Sequence, residues 1–243
     1  MPGTNNTGVE QESRIMVAIP CLNTASRIAD VVQKALRHAD EVVVIDDGSV
    51  DNTVEVARSA GARVVSHQGN QGYGRALKSC FEAAQESKCD VLVIIDGDGQ
   101  HDANEIPVLL EPALRKEAKL IIGSRLVSAN GNIPSYRKVG IGIITWLFNF
   151  GSGQKCRDAQ SGFRAYDRDA YQCLVPSEKG MSASIEILEK ARRQGLTLKE
   201  VPISCRYFDS NITRGAISHG LSVALSVVRI RLKNLAGGNN GST

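Results

Sequence analysis

Residues 91 to 102 read Val-Leu-Val-Ile-Ile-Asp96-Gly97-Asp98-Gly99-Gln100-His101-Asp102, an apolar run that stops on two carboxylates one residue apart. Two Asp at a strand end, flanked by glycines that admit close backbone approach, form a hard oxygen site suited to Mg²⁺ or Mn²⁺ bridging phosphates. The competing reading is a solvated turn, because Asp and Gly are common turn formers. An EF-hand loop counted from Asp96 needs Gly at its sixth position and Glu at its twelfth. The chain has His101 and Pro107 there. A phosphatase with an aspartyl nucleophile also carries two Asp after a strand, so the rest of the chain must decide.

A second acidic strand end follows the same logic: Glu41-Val-Val-Val-Ile-Asp46-Asp47-Gly48-Ser49. Gly48 to Asn52 reads in part as a turn feeding a helix, with Ser49 or Asp51 as N-cap. Asp46 and Asp47 ask for more, since adjacent carboxylates repel unless a cation or a donor-rich ligand compensates them. A third strand, Ile15 to Pro20, ends in Pro20-Cys21-Leu22-Asn23. Ligands of parallel sheets bind beyond the carboxyl ends of the strands, so these three ends could converge on one ligand.

The elements that must hold these ends alternate. The strand at 91–95 has no polar alternation and suits burial on both faces. Helices are expected at about 26–37, 51–59, 73–86, 105–116 and 182–193, with further strands at 41–46, 63–66 and 119–123. Strict alternation predicts an α/β fold with a mainly parallel central sheet and helices on both faces. Gly69 to Gly74 opens a helix, which suits either phosphate binding at a helix N-terminus or a tight turn. Its glycines do not fit the dinucleotide fingerprint.

Composition sets bounds. A chain of 243 residues that is 42% hydrophobic can bury a substantial core as one domain. The expected organisation is a disordered segment over 1–13, a catalytic domain over 14–235 and a disordered tail over 236–243. A net charge of +3, with basic residues scattered among acids, gives no argument for nucleic acid. Six cysteines without a Cys-x-x-Cys pair read as reduced and cytosolic. The polar N-terminal residues resemble neither signal peptide nor anchor. His101 belongs to the acidic loop and would orient it, while His38, His67 and His219 read as surface or local structural residues.

Taken in order, several short signals carry a resemblance. They are Pro20-x-x-Asn23, Asp46-Asp47-Gly48-Ser49-x-Asp51-x-Thr53, Asn70-x-Gly72-x-Gly74-x-Ala76, Asp96-x-Asp98-x-Gln100-His101, Gly123-Ser124-Arg125 and Gln160-Ser161-Gly162-Phe163-Arg164. Over residues 15 to 235 the chain resembles family 2 glycosyltransferases of GT-A fold, in particular the dolichyl-phosphate mannose and glucose synthases. The resemblance implies a UDP- or GDP-sugar donor and Mg²⁺ or Mn²⁺. It implies that Pro20, Leu22 and Asn23 line base and ribose, that Asp46 or Asp47 accepts hydrogen bonds from the base, and that Gly97 lies on the donor. Asp98 would bind the metal most directly, assisted by Asp96 and Gln100. Family members usually carry Glu after that Asn, where this chain has Thr24. They also often place a Ser-Lys pair before the last helix, where Arg214 stands here.

Arg125, beyond the strand at 119–123, would sit at another carboxyl-end edge. A guanidinium there pairs either with donor or acceptor phosphate or with one of the acidic loops. Arg137, Arg164, Arg206 and Arg214 form a second tier, with Arg206 the preferred diphosphate contact. A lipid phosphate is an anion at neutral pH, its second pKa lying near 6, whereas a sugar hydroxyl needs a general base. The hydroxyl-directed Gln-x-x-Arg-Trp signature does not occur. Asp158 to Tyr166 instead resembles the polyprenyl-phosphate branch, which places Gln160, Ser161, Arg164 and Glu186 on the acceptor side. Asp158 then orients the acceptor face or holds the Gly162 turn. The runner-up is transfer to a hydroxyl with Asp158 or Glu186 as base, and a different-class alternative is a non-catalytic nucleotide-sugar-binding regulator.

Val139 to Phe150 is apolar for about a dozen residues, short of the roughly 20 that span a bilayer, and holds the single Trp. Ile217 to Leu235 is interrupted by His219, Arg229, Arg231 and Lys233. Both suit amphipathic helices lying on a membrane, with core packing as the alternative. The expectation is a peripheral protein on the cytosolic face, with recruitment by a membrane-protein partner as one route.

Overall fold

The computed structural model describes residues 13–127, 135–150, 155–178 and 180–207, and of 135–139 the backbone alone. The expected C-terminal amphipathic helix, residues 1–12 of the expected N-terminal segment, the whole expected tail and Arg214 lie outside the described residues. The chain runs β1 (Ile15–Cys21), α1 (Ile28–Ala35), β2 (Glu41–Asp46), α2 (Thr53–Ser59), β3 (Arg63–Ser66), α3 (Tyr73–Ser87) and β4 (Val91–Ile94). It continues through α4 (Ile106–Leu114), β5 (Leu120–Ser124), α5 (Ser135–Asn149), β6 (Arg164–Asp167), α6 (Arg168–Cys173), α7 (Ala183–Arg193) and β7 (Leu198–Pro202).

These strands form one seven-stranded sheet in the order β3-β2-β1-β4-β6-β5-β7. Every pairing is parallel except those of β6, which runs antiparallel to β4 and β5. Alternate residues of the central strands feed two cores. Met16, Ala18, Val43, Ile45, Leu92 and Ile94 face the layer of α3, α6 and α7. Val17, Ile19, Val42, Val44, Val91 and Val93 face α1 and α4. Both faces are therefore dry, which is why the sequence shows apolar runs instead of alternation.

Two consequences of this order build the site. The sheet winds outward in opposite directions from β1 and β4, so a crevice opens beyond their carboxyl ends. An antiparallel strand begins where its parallel neighbours end. Ile94 pairs with Arg164 and so does Ile122, so the 158–163 segment that leads into β6 is delivered to the same edge.

Candidate active site

The crevice is a cavity of about 600 Å³. One wall is Pro20, Cys21, Leu22 and Thr24 from the end of β1, Asp47 after β2, and Asn70, Gly72, Tyr73 and Ala76 from the glycine loop and α3. Asp96, Gly97 and Asp98 after β4 also line it, and Gly180, Met181 and Ser182 at the head of α7 complete it.

The turn after β4 is shaped by close backbone approach. The Gly97 N–H donates to the Pro20 carbonyl at 3.1 Å, and a Cβ on Gly97 would lie 2.8 Å from the Cys21 Cβ. Gly99 holds φ +72, a left-handed conformation that favours glycine. Asp98 is fixed by Gln100, whose backbone N–H donates to Oδ1 at 2.9 Å and whose side-chain amide donates to Oδ2 at 2.7 Å. Asp96 accepts from the Tyr73 hydroxyl at 3.2 Å. Burial, reinforced by the Asp98 charge, pushes the Asp96 carboxyl up to about 6.

No cluster of three or more His, Cys, Asp or Glu suited to a metal occurs among the described residues. The set present is two carboxylates, with the Gln100 side-chain amide hydrogen-bonded to one of them. It fits a hard divalent ion of the Mg²⁺ type, which commonly takes one or two carboxylates and completes its shell with substrate phosphates and water. The mutual repulsion that raises Asp96 is what such a cation relieves.

Asp46 and Asp47 separate into different tasks. Asp46 is buried and accepts the Ser49 N–H at 3.2 Å, holding the turn. Asp47 faces the cavity and accepts from Gln71 N–H at 3.0 Å, Gly72 N–H at 2.8 Å and His67 Nδ1 at 2.7 Å. The glycine-loop amides thus point at Asp47. Gly48, at φ +81, lies so close to Gly69 that a Cβ would sit 2.5 Å from its backbone. Asn23, at φ 53, ties β1 to β2: its side-chain oxygen accepts Val50 N–H at 2.9 Å and its own N–H donates to Ser49 Oγ at 2.8 Å.

Arg125 meets an acidic loop, the second of the two pairings open to it. Its backbone N–H, Nε and Nη2 donate to Asp158 at 3.1, 2.7 and 2.7 Å. Burial alone would raise the Asp158 carboxyl, but the Arg125 bonds and charge hold it below its usual range. His101 packs 5.6 Å from the Phe163 ring, and burial together with the Arg125 charge lowers it to about 4, so it is neutral at pH 7. Neither Arg125 nor Asp158 lines the cavity.

The remaining acceptor-side candidates bind backbone. Arg164 is 2% exposed and donates to the Ser184 carbonyl at 3.0 Å and the Ala159 carbonyl at 2.9 Å. Ser161 is buried and accepts the Phe163 N–H at 3.3 Å; Gln160 is partly buried beside it. Glu186 accepts from Ser177 N–H at 2.9 Å and Glu178 N–H at 2.8 Å, pinning the segment that carries Gly180, Met181 and Ser182 into the cavity. Arg206 is exposed; its N–H donates to the Gln100 carbonyl at 2.8 Å and its guanidinium lies 3.6 Å from Asp102.

Sequence reasoning missed the 180–182 wall and His67. The first has no motif. The second follows from register: Asp46 pairs with Ser66, so the next residues on each strand, Asp47 and His67, meet.

Ile143 and Trp146 on α5 and Phe150 just after it form an exposed stripe, at 52%, 62% and 66%, while Ile141, Ile144 and Phe148 pack inward. Among the described residues no helix is long and apolar enough to cross a membrane.

Residues 16–175 match the model of glycosyl transferase family 2. The chain is 28% identical to a UDP-N-acetylglucosamine–dolichyl-phosphate N-acetylglucosaminyltransferase of Methanococcus voltae, over 83% of this chain and 89% of that one. It is 28% identical to an undecaprenyl-phosphate mannosyltransferase of Micrococcus luteus, over 92% and 95%. A glucosyl-3-phosphoglycerate synthase of Mycobacterium tuberculosis, solved with Mn²⁺, uridine diphosphate and glucosyl-3-phosphoglycerate, shares the fold at TM-score 0.70 and 22% identity, over 90% of this chain and 80% of that one. The chain therefore belongs to glycosyl transferase family 2, and its likeness within that family is to the polyprenyl-phosphate sugar synthases.

Proposed function

We propose that the protein transfers a hexose from a nucleoside-diphosphate sugar to a polyprenyl phosphate, with inversion at the anomeric carbon. The observation that carries this is the Asp96–Asp98 pair lining a cavity whose other wall is built from the ends of β1 and β2. Pro20, Leu22 and Asp47 hold the nucleoside. Asp98, with Asp96 and Gln100, would hold a Mg²⁺ or Mn²⁺ ion, which when bound supplies positive charge to the leaving diphosphate. Arg206, tethered to Gln100 through its backbone N–H, is the diphosphate contact in this reading.

The acceptor follows from the state of the two candidate bases. Asp158 is ion-paired with Arg125, and Glu186 accepts from Ser177, Glu178 and Lys190; these partners hold both carboxyls below their usual range, so neither is disposed to take a proton from a hydroxyl. A lipid phosphate needs no such base, because it already carries its charge near neutral pH. The polyprenyl-phosphate enzymes among the relatives support the same acceptor. The exposed stripe of α5, with Trp146 at its centre, meets the membrane surface where that acceptor resides.

The test is sugar transfer by purified protein from a panel of UDP- and GDP-sugars to a short polyprenyl phosphate, with Mg²⁺ or Mn²⁺. A metal-dependent lipid-phosphate sugar that Asp98→Ala abolishes is the expected product. Donor hydrolysis without lipid product would overturn the acceptor, and donor binding without any turnover would favour a regulatory binder.

A further inference from the structure

We infer that His67, held in place by Ser79, positions Asp47 with one acceptor site open to the cavity, and that this selects a uridine over a guanosine diphosphate sugar. The inference deepens the nucleotide-sugar reading above and rests on it.

The three groups form a buried chain. His67 Nδ1 lies 2.7 Å from Asp47 Oδ1, and His67 Nε2 lies 2.9 Å from Ser79 Oγ. A carboxylate only accepts, so Nδ1 carries the hydrogen in the first bond, and Nε2 shares the second with the Ser79 hydroxyl, which can give or take a hydrogen. Both His67 and Asp47 side chains are 6% exposed, and Ser79 sits on the inner face of α3 at 6%. The composition is that of a nucleophilic triad, but Ser79 does not line the cavity. The chain therefore ends at Asp47, which does line it.

What Asp47 can still do is a matter of counting. An ionised carboxylate offers about four acceptor positions, two on each oxygen. Oδ1 is filled by His67 Nδ1 at 2.7 Å and Gln71 N–H at 3.0 Å. Oδ2 takes Gly72 N–H at 2.8 Å. One position remains, on Oδ2. Uracil presents a single ring donor, N3–H, between two carbonyls, and one position satisfies it. Guanine presents two neighbouring donors, N1–H and the exocyclic amine, which need both oxygens of a carboxylate side by side. With Oδ1 occupied by His67, the second guanine donor would be buried without a partner, a cost comparable to a lost hydrogen bond.

The experiment is calorimetric titration of the full chain, in the presence of Mn²⁺, with UDP and separately with GDP, for the wild type, His67→Ala, His67→Asn and Ser79→Ala. The wild type should bind UDP at least about tenfold more tightly than GDP, as expected for one hydrogen bond to a charged group. In His67→Ala, Asp47 loses its anchor and regains an Oδ1 position, so the UDP-to-GDP ratio should fall towards one. With UDP-sugar as substrate, donor KM should rise more than kcat falls. His67→Asn places an amide N–H where Nδ1 was and should retain the preference, which a purely packing role for the ring would not explain. Ser79→Ala should lower the ratio less than His67→Ala does. If His67→Ala does not fold, His67→Asn and Ser79→Ala carry the comparison. Equal affinity of the wild type for UDP and GDP overturns the base assignment, and an unchanged ratio in His67→Ala overturns the positioning role. Failure of both nucleotides to bind overturns the nucleotide-sugar reading as well, which separates the two failures.

Discussion

The Asp96 carboxylate lies against the backbone of Gly162, with its Oδ2 in the space that a Cβ on residue 162 would occupy. The acidic turn after β4 and the segment that enters β6 are thus in direct contact, and the two halves of the proposed site share one wall. Any side chain at 162 must push Asp96 or the turn aside.

Gly162→Ala should therefore act on turnover more than on folding. Overpacking of this kind costs about 1–3 kcal/mol of stability, and displacing a carboxylate proposed to hold the metal should lower kcat by roughly 10–100-fold. Turnover and a thermal melt of the same preparation check this. An alanine variant with wild-type turnover would mean that Asp96 has no fixed role.

The Asp96 environment predicts a stability gain at the expense of function. Its folded pKa, about 6, is raised from 3.8 by burial and then by Asp98. The folded state binds this proton more tightly than the unfolded chain does. Its contribution is fully present below about pH 4 and is lost as pH rises through about 6. Asp96→Asn, which never ionises, should then be more stable than wild type in metal-free buffer at pH 7.5, by up to about 3 kcal/mol. The gap should close below pH 4. Mn²⁺ should stabilise the wild type and not the variant, and the variant should be inactive. Urea melts at several pH values, with and without Mn²⁺, read all of this.

Arg125 and Asp158 form a buried pair, their side chains 12% and 0% exposed. Removing one partner strands the other, at a cost of about 3–5 kcal/mol, so Arg125→Ala and Asp158→Ala should each be strongly destabilised. The double variant should be less destabilised than their sum, with a coupling of about 1–3 kcal/mol in a double-mutant cycle. Because Arg125 depresses the folded pKa of Asp158, that stability is present above about pH 4 and is lost as pH falls below it. Additive effects in the cycle would leave Arg125 free to serve a phosphate.

Much of this architecture was legible because burial on both sheet faces leaves long apolar runs, and because those runs end abruptly in Asp46, Asp47, Asp96 and Asp98. What was not legible depends on tertiary pairing. β6, Arg-Ala-Tyr-Asp, is short and without a run, and becomes a strand only because β4 and β5 flank it. β7, Leu-Lys-Glu-Val-Pro, alternates as an edge strand does and ends in a proline. Arg125 read first as a phosphate ligand and second as an acid's partner, because its choice turns on where the 158–163 segment lands. His67 carried no local signal, since its partner Asp47 lies 20 residues away and meets it only through strand register.

Glu186 should act through the wall it anchors. Glu186→Ala releases the N–H groups of Ser177 and Glu178, removing charge-assisted hydrogen bonds worth about 1.5–3 kcal/mol each when buried. Part of that is recovered where water reaches the loop. The signature is selective: donor KM should rise several-fold as Gly180 to Ser182 loosen, while α7, held by its buried Ile185, Ile187 and Leu188, keeps its helicity. Circular dichroism and donor saturation curves separate the two, and unchanged KM would detach this wall from the substrate.

The α5 stripe predicts a separation between surface binding and catalysis. Trp146 is 62% exposed and its ring centroid lies 5.6 Å from that of Phe150, so the two present one apolar edge to solvent. A charge placed there costs little in the folded protein, since exposed substitutions usually fall within about 0.5 kcal/mol. At a lipid surface the same charge is opposed by dehydration. Trp146→Glu should therefore leave the melting temperature near wild type and leave transfer to a short, water-soluble polyprenyl phosphate intact. It should reduce sedimentation with vesicles containing anionic phospholipid, and transfer to a long-chain acceptor embedded in them, by about tenfold or more, as befits an anchor that buries one large aromatic. Equal loss on soluble and embedded acceptors would instead tie Trp146 to the acceptor itself.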